Sequence, residues 1–502
     1  MSLKVYNSLT RQKEVFQPIN PPYVGMYVCG PTVSGESHLG HARPFITFDV
    51  LYRYLLHLGY KVRYVRNITD AGHFEEEGRE AEDKISTKAI LEKLEPMELV
   101  QKYTNLYHWA MNQFNNLPPS IEPTATGHIV EQIEMIKKII ADGYAYEANG
   151  SVYFNVEKYN IDFSAKGQPY GILSGRIVED QIESTRELDN QDEKQNKNDF
   201  ALWKKAPAEH IMRWQSPWGE GFPGWHIECS AMSTKYLGDE FDIHGGGMDL
   251  QFPHHECEIA QSTVCNHKMP ARYWLHNNMI TINGKKMGKS YNNVIKLSEL
   301  FTGTHPILEQ AYAPSTVRFF ILQSQYRSTL DFGNDALQAS EKALRRLMDA
   351  FEWLMQQNDL GAAGAAVDIA LDEKVNKLIQ EFDEFMNDDL NTAKVVASMF
   401  ELVPVINSIK DKHIAANALS STTIALLKKQ MNAFIVDIFG LQNSKADNND
   451  KLEGVIQLLI NIRKEAKSRK DFVTSDKIRN ELAALGVQLK DEKDGGMSYS
   501  IA

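Results

Sequence analysis

The chain has 502 residues and a mass of 57.0 kDa, which is too long for one compact core. At about 150 residues per domain, three or four domains are expected. With 43% hydrophobic and 24% charged residues, the composition excludes collagen-like, mucin-like and wholly disordered proteins. The net charge of −12 argues against indiscriminate binding along nucleic acid, although local basic clusters can still contact it.

Nothing in the sequence indicates a membrane or an export route. No apolar run approaches the roughly 18 residues that a spanning helix needs, and the first residues lack the apolar core of an export signal. The four cysteines include no CxxC pair and do not make a disulfide framework. We therefore expect a cytoplasmic protein without a membrane partner, whose thiols are free for other chemistry.

The first hundred residues predict a strand, a helix and a second strand. Residues 23–29 (YVGMYVC) are typical of a short buried strand, and residues 61–66 alternate like another. Between them, apolar residues step by three and four as in a helix, at Phe48, Leu51, Leu55 and Leu58. Such a βαβ unit predicts a parallel sheet, whose ligands bind at the carboxyl ends of the strands, here near residues 29–41.

Composition changes along the chain predict an interrupted domain. The mixed pattern stops near Pro118-Pro119, resumes near residue 216, and gives way to mainly helical sequence beyond residue 296. We predict an α/β protein with a Rossmann-type parallel-sheet domain split by an insertion, a mainly α-helical C-terminal half and a small terminal module. The predicted segments are 1–117 with 216–295, the insertion 118–215, a linking segment 296–340, a helical bundle 341–442 and the module 443–502.

Two motifs are suited to phosphate chemistry. His38-Leu39-Gly40-His41 lies between a strand end and a helix start, where free N–H groups and the positive helix end favour phosphate. Gly40 lets the backbone approach, and the two imidazoles can donate to oxygens of a reacting phosphorus. Lys286 and Lys289, in Lys286-Met-Gly-Lys-Ser290, can neutralise a triphosphate as it breaks. Each motif by itself could also lack a function. The histidines could be unrelated surface or core residues, and the lysines could belong to a solvated basic turn.

Taken in this order, the two motifs resemble the HIGH and KMSKS signatures of class I aminoacyl-tRNA synthetases. Gly288 stands where the second signature usually has Ser.

A third group of residues has the chemistry of a metal site. Cys29 ends the first predicted strand, Cys229 follows two hundred residues later, and His254 and Glu258 are spaced i, i+4 on a predicted helix. Two thiolates, an imidazole and a carboxylate suit tetrahedral zinc. His255, Glu256 and Cys257 are competing ligands from the same stretch. Any one of the cysteines could equally be a small core residue.

Zinc at this position would explain a choice between amino acids. Size separates cysteine from serine or alanine only about 10- to 200-fold, whereas zinc binds a thiolate far better than an alcohol. Together with this argument, long strings in the chain are similar to those of the cysteinyl-tRNA synthetase family. They are residues 27–33 (YVCGPTV), 224–232 (GWHIECSAM), 242–249 (DIHGGGMD) and 252–256 (FPHHE), and the similarity continues into the tail at 470–489.

The resemblance implies a role for individual residues. Cys29, Cys229, His254 and Glu258 match the family's zinc ligands. Residues that match positions near the bound cysteine are Thr69, Trp225 and His244, and those that match ATP contacts are Gly40, Gly247, Asp249 and Lys289. Cys257 replaces the usual Asn. Tyr499 replaces the usual Trp beside the anticodon, and we expect it still to stack on a base.

The resemblance also implies an activity. ATP-dependent ligation of L-cysteine to its cognate tRNA, tRNA(Cys), is expected to pass through a cysteinyl-adenylate, with Mg²⁺ accompanying ATP and one Zn²⁺ per chain. His38, His41, Lys286 and Lys289 would align and stabilise the reacting phosphate. The implied segments are a catalytic domain, a connective insertion, a stem-contact segment, a tRNA-binding bundle and an anticodon module, in a monomer.

Two rivals stay open at this point. One is a cysteine ligase that couples the same adenylate to an amino sugar; relatives of that kind lack the C-terminal module, which is present here and locally basic. The other is a catalytically inactive RNA-binding paralogue whose zinc supports only the fold. Retention of both histidines and both lysines argues against the second rival.

Overall fold

The computed structural model describes residues 2–72, 85, 88–89, 94–176, 193–207, 210–288, 291–361, 367–442, 444–485, 487–491 and 497–501. The chain divides into two units, Met1–Leu441 and Gln442–Ala502.

A parallel sheet organises the larger unit. Its strands within the described residues follow the order β11-β10-β3-β4, and every neighbouring pair is parallel. The strands are β3 (Tyr23–Val28), β4 (Lys61–Arg66), β10 (Phe241–Gly247) and β11 (Ala271–Asn277). Helix α1 (Leu39–His57) connects β3 to β4, as the apolar spacing predicts. Because β10 pairs with β3 although the chain runs from residue 28 to residue 241 between them, it leaves the sheet after β4 and returns to it. The predicted Rossmann-type domain split by an insertion is confirmed.

The insertion forms a sheet of its own. In the described part of the insertion, five antiparallel strands follow the order β5-β6-β7-β9-β8, around a core that contains Trp203. They are β5 (Ala145–Ala148), β6 (Ser151–Phe154), β7 (Phe200–Lys205), β8 (Trp214–Ser216) and β9 (Gly219–Pro223). This sheet ends at Pro223 and not at the predicted residue 215, because β9 pairs with both β7 and β8.

Among the described residues, two small sheets hold the other strands of the larger unit. An N-terminal hairpin joins β1 (Lys4–Asn7) to β2 (Gln12–Val15). The other sheet has the order β13-β12-β14 and carries the second phosphate motif, with strands β12 (Ile280–Ile282), β13 (Lys285–Lys286) and β14 (Leu330–Phe332).

The remaining described elements of this unit are mainly helical, as predicted. Those before the sheet's last strand are α2 (Pro96–Gln113), α3 (Ile129–Ala141), α4 (Val156–Ser164), α5 (Trp225–Leu237) and α6 (Glu256–Asn266). Those after it are α7 (Leu297–Thr302), α8 (Pro314–Leu322), α9 (Asn334–Gln356), α10 (Ile369–Asn387), α11 (Thr392–Lys410) and α12 (Ser421–Asn432).

Helices α9 to α12 pack as a bundle on shared apolar faces. Helix α11 is long and apolar enough to cross a membrane by length and composition alone, and it is the one such helix among the described residues. However, 56% of that stretch is buried inside the protein, on Val395, Met399, Leu402 and Ile406 among others. This burial is typical of the core helix of a bundle.

Where the structure describes it, the smaller unit contains two helices and a hairpin. They are α13 (Ser444–Ser468), α14 (Phe472–Ala484), β15 (Val487–Asp491) and β16 (Met497–Ile501). Its apolar cluster contains Ile456, Ile460, Leu482 and Val487, and Tyr499 packs against that cluster.

Candidate active site and metal centre

The candidate site lies where the strands of the parallel sheet end. The residues after β3 bond to their neighbours on both sides: the amide of Cys29 donates to Gly245 O (3.1 Å), and Thr69 exchanges backbone bonds with Pro31 and Val33 (3.0 and 3.1 Å). Parallel strands present their carboxyl ends at one edge. The predicted residues Cys29, Thr69 and His244 are therefore neighbours, although up to 215 positions separate them in sequence.

Four buried side chains form a compact donor cluster. The ligand atoms of Cys29, Cys229, His254 and Glu258 all lie within 4.8 Å of one another. Cys29 Sγ is 3.8 Å from Cys229 Sγ and 3.7 Å from Glu258 Oε1, and His254 Nε2 is 3.2 Å from Glu258 Oε1. Around a tetrahedral zinc with bonds of about 2.0 to 2.3 Å, neighbouring ligand atoms lie about 3.3 to 3.8 Å apart. The separations fit such an ion.

Two helices hold this cluster. Cys229 lies in the second turn of α5, whose first residue is Trp225. Phe252 leaves helical geometry (φ −141°, ψ 133°), and helical backbone resumes at Pro253, where the missing N–H costs nothing. His254 and Glu258 then share one helix face at i, i+4, as predicted from their spacing.

A second group, which includes the competing ligand His255, overlaps the first. Cys29, His244, His255 and Glu258 also lie within 4.8 Å. His255 reaches this group with Nε2, which is 3.3 Å from Cys29 Sγ, while its Nδ1 is 2.8 Å from His276 Nε2. His244 Nε2 is 2.9 Å from Glu258 Oε2, a hydrogen-bond distance. We therefore infer that His244 orients the Glu258 carboxylate from outside the cluster, as partners of metal ligands commonly do.

The other two competing ligands face elsewhere. Glu256 accepts from the backbone amides of Leu173 and Ser174 (3.4 and 3.0 Å). Cys257 Sγ is 3.3 Å from the Tyr170 hydroxyl. Neither belongs to a described group of candidate metal ligands.

The electrostatics of the cluster favour a cation. Burial acts to raise the pKa of Glu258, but His244 and His254 outweigh it and bring that pKa to about 2. Burial acts to lower the pKa of His254, but Cys229 and then Glu258 raise it to about 10. A histidine that retains a proton so strongly indicates surroundings rich in negative charge. The cluster could hold a metal ion.

Two of the predicted cysteine-contacting residues border the cluster. The ring of Trp225 lies 4.6 Å from that of His254. Thr69 Oγ1 donates to Glu228 Oε2 (2.9 Å) and accepts from Asn67 Nδ2 (3.1 Å). Sequence reasoning missed Glu228 and Asn67, although Glu228 lies inside the 224–232 string and one helical turn after Trp225.

The first phosphate motif begins helix α1. The His38 and His41 rings stack with centroids 3.7 Å apart, and the backbone amide of His38 donates to His41 Nδ1 (3.3 Å). Burial, reinforced by His38, lowers the pKa of His41 to about 3, and burial lowers that of His38 although Asp249 opposes the shift. His41 is therefore neutral at pH 7, with its ring proton on Nε2, where it can donate to a ligand.

Asp249 folds back over the end of β10. A Cβ added at Gly247 would lie 2.4 Å from Asp249 Oδ1, so a larger residue there would displace the Asp249 carboxylate from this position. The predicted Gly-x-Asp pair is thus placed beside His38, whose pKa responds to Asp249.

The second phosphate motif approaches the first. A Cβ added at Gly40 would come within 3.9 Å of Met287 Cε. Lys286 is exposed at the end of the β12–β13 hairpin. The side chain of Asn293, which sequence reasoning missed, bridges the loop: it donates to Lys286 O (3.1 Å) and accepts from Gly288 N (2.8 Å). The predicted Lys289 lies outside the described residues.

Comparison with known proteins first defines a class. A family model described as "tRNA synthetases class I (C) catalytic domain" matches residues 15–342, and a DALR domain matches 381–443. Among solved structures, methionyl-tRNA synthetase of Mycobacterium tuberculosis in complex with methionyl-adenylate is similar at 12% identity and a TM-score of 0.56, covering 83% of this chain and 89% of that one. The fold is therefore that of the class I tRNA synthetases.

Curated relatives then show the family within this class. The cysteine–tRNA ligases of Bacteroides thetaiotaomicron and Porphyromonas gingivalis are 57% and 56% identical to this chain, and each alignment covers 98% of both chains. The ligase of Chlorobaculum tepidum is 44% identical over the same shares. The chain belongs to the family of cysteine–tRNA ligases.

Proposed function

We propose that the protein ligates L-cysteine to tRNA(Cys) at the expense of ATP. The observation that carries this proposal is the buried cluster of Cys29, Cys229, His254 and Glu258, placed at the same sheet edge as the His38–His41 motif. A thiol-selective centre beside a nucleotide motif suits activation of cysteine, and the full-length relatives support the same substrate.

The first step is attack of the cysteine carboxylate on the α-phosphate of ATP. A new P–O bond forms, and the bond to pyrophosphate breaks. No protein nucleophile is required, so catalysis consists of alignment and charge stabilisation. Neutral His38 and His41 would donate to phosphate oxygens, and Gly40 would let the backbone approach them. Gly247 and Asp249 would face the adenosine, and Lys286 with Lys289 would stabilise the leaving pyrophosphate. The second step transfers cysteine to the terminal adenosine of tRNA and releases AMP.

Zn²⁺ is the metal that this donor set fits. Two sulfurs, one imidazole and one carboxylate match its preference. When bound, zinc accepts a thiolate and lowers the pKa of the thiol, which an alcohol cannot match. Trp225, Thr69 and His244 would enclose the amino acid. Mg²⁺ would accompany ATP through the phosphates.

The assembly and location of the protein belong to the same proposal. A monomer in the cytoplasm is expected, without a membrane partner, and segments 296–340, 341–442 and 443–502 are proposed to contact the tRNA stem, body and anticodon. Size-exclusion chromatography with light scattering checks the monomer, and cell fractionation checks the location.

Cysteine-dependent exchange of pyrophosphate into ATP, with and without tRNA, tests the activity. We expect exchange with cysteine, at least a hundredfold less with serine, and charging of tRNA(Cys). Absence of exchange would favour the inactive RNA-binding paralogue. Exchange without tRNA charging, but with transfer to an amino sugar, would favour the amino-sugar ligase.

The extent of the relatives' alignments argues against the amino-sugar ligase. The relatives' alignments extend over 98% of this chain and so include the terminal unit, which the amino-sugar ligases lack.

A further inference from the structure

A buried chain of hydrogen bonds borders the metal centre. The backbone amide of Gly30 donates to Asn67 Oδ1 (2.9 Å), Asn67 Nδ2 donates to Thr69 Oγ1 (3.1 Å), and Thr69 Oγ1 donates to Glu228 Oε2 (2.9 Å). The side chains are almost inaccessible: Asn67, Thr69 and Glu228 are 1%, 2% and 0% exposed.

The direction of every bond in this chain is fixed. A backbone N–H can only donate, so the Asn67 oxygen faces Gly30 and its NH₂ group faces Thr69. The Thr69 oxygen therefore accepts one hydrogen bond from Asn67. Its own hydroxyl proton points to the Glu228 carboxylate, which can only accept. What Thr69 has left for a ligand is a lone pair. Thr69 is therefore an acceptor toward the site, polarised by a carboxylate.

The position of this acceptor matches one group of cysteine. Asn67 Oδ1 lies 3.8 Å from Cys229 Sγ, Glu228 directly precedes Cys229, and Thr69 pairs with the segment that follows Cys29. In cysteine, three single bonds separate the sulfur from the nitrogen, so the two atoms lie about 3 to 4 Å apart. An ammonium has three donors and no acceptor. A cysteine whose sulfur lies at the metal centre can thus reach Thr69 with its ammonium.

We propose that Glu228 is a positioning residue that sets Thr69 as the acceptor for the α-ammonium group of bound cysteine. This inference rests on the proposed function. The adjacent carboxylate, Asp70, is unsuited to the role because its oxygens bond to the Thr126 amide (2.8 Å) and hydroxyl.

The test compares ligands with and without the ammonium group. In the zinc-loaded full-length Glu228→Gln variant, the KM for cysteine in pyrophosphate exchange should rise at least about tenfold, because a charge-assisted contact is weakened. Inhibition by cysteamine, which keeps the ammonium, should weaken similarly. Inhibition by 3-mercaptopropionate, which lacks it, should change less than twofold, and the zinc content should stay at one per chain.

A second variant and a control complete the design. Thr69→Val has nearly the same shape and lacks the acceptor, so it should reproduce the selective loss even if Glu228→Gln folds poorly. Asp199→Asn removes another buried carboxylate, one that accepts from Tyr146 and Val156 in the insertion, and should leave all three constants within twofold.

Equal weakening of all three ligands, or no change for any, would overturn the inference. Absence of exchange in the wild-type protein would instead contradict the proposed function itself.

Discussion

Cys229 and Cys257 are both buried thiols, but their neighbours differ. Cys229 Sγ faces Cys29 Sγ at 3.8 Å inside the donor cluster. Cys257, the departure from the family pattern, faces the Tyr170 hydroxyl and belongs to the apolar core shared with the insertion. Burial alone therefore does not distinguish a metal ligand from a core residue; the distance to other donors does.

Replacement of these cysteines by serine should separate the two roles. Cys229→Ser should reduce bound zinc to well below one per chain, because a hydroxyl is a poor ligand for this metal. Cys257→Ser should keep full zinc. Elemental analysis of both purified variants measures this, and retention of zinc in the first with loss in the second would contradict the ligand assignment.

Asn293 should control the loop of the second phosphate motif. In Asn293→Ala the bridge between Lys286 O and Gly288 N is lost, so the loop should be less ordered before ATP binds. Binding of ATP then costs more conformational entropy, because it must order the loop. We expect the KM for ATP to rise about tenfold while the KM for cysteine stays within twofold. Asn376→Ala, a bundle asparagine that donates to Thr423, is the matched control and should change neither constant.

Lys289 should act in the chemical step, whereas Asn293 should act when ATP binds. If its charge stabilises the departing pyrophosphate, Lys289→Ala should lower the kcat of exchange at least about a hundredfold with little change in the cysteine KM. An exchange rate within twofold of wild type would remove this residue from the mechanism.

At the scale of elements, a buried charge cluster joins α1 to two distant segments. Asp49 on α1 accepts from Arg53 Nε (2.8 Å), from Leu117 N (2.7 Å) and from Arg318 on α8. Arg318 also donates to Phe114 O (2.9 Å) and Phe439 O. The helix that begins with the first phosphate motif is thereby tied to the start of the insertion and to the end of the bundle.

Removal of Arg318 should destabilise the larger unit. Arg318→Met leaves part of the Asp49 charge and several carbonyls unpaired in the interior, which costs about 3 to 5 kcal/mol. Urea unfolding followed by tryptophan fluorescence measures the loss. Arg345→Met, an exposed arginine on α9, should stay within about 0.5 kcal/mol of wild type. A loss below about 1 kcal/mol for Arg318→Met would show that the cluster is not stabilising.

At the scale of the whole molecule, the two units have separate cores, which suggests separable tasks. Between Arg463 and Arg479 the sequence holds seven basic residues against three acidic ones, which predicts a basic patch that contacts phosphates, but this patch of the terminal unit is only partly available. Arg463 is 1% exposed, so its inclusion among phosphate contacts is wrong. Exposed Arg469, Lys477 and Arg479 each lie within ion-pair distance of a nearby acid. Tyr499 packs against the unit's apolar cluster, and its stacking on a base stays a prediction.

Removal of the terminal unit should separate activation from charging. A chain that ends at Gln442 retains the larger unit, so cysteine-dependent exchange should stay within about twofold of wild type. Charging of tRNA(Cys) should fall at least about a hundredfold, and tRNA binding should lose part of its salt dependence as phosphate contacts disappear. Equal charging by both forms would contradict an anticodon-reading role.

The sequence by itself determined the local elements and the donor types. The βαβ pattern, the phosphate motifs and the i, i+4 spacing of His254 and Glu258 are local in sequence, because periodicity and helix geometry depend on near neighbours. The split domain was also predictable, because the mixed strand and helix pattern stops near Pro118 and resumes near residue 216. These features suffice for the class of protein.

Only the tertiary structure decided which atoms meet. The sequence left His255, Glu256 and Cys257 as rival ligands. In the structure, hydrogen-bond partners on other elements hold Glu256 and Cys257 away from the cluster, whereas His255 keeps its Nε2 at 3.3 Å from Cys29 Sγ. Likewise, nothing local shows that Asn67 and Glu228 orient Thr69, or that Asn293 bridges its loop. Each of these depends on which strand ends lie side by side, and the packing of elements distant in sequence sets that arrangement.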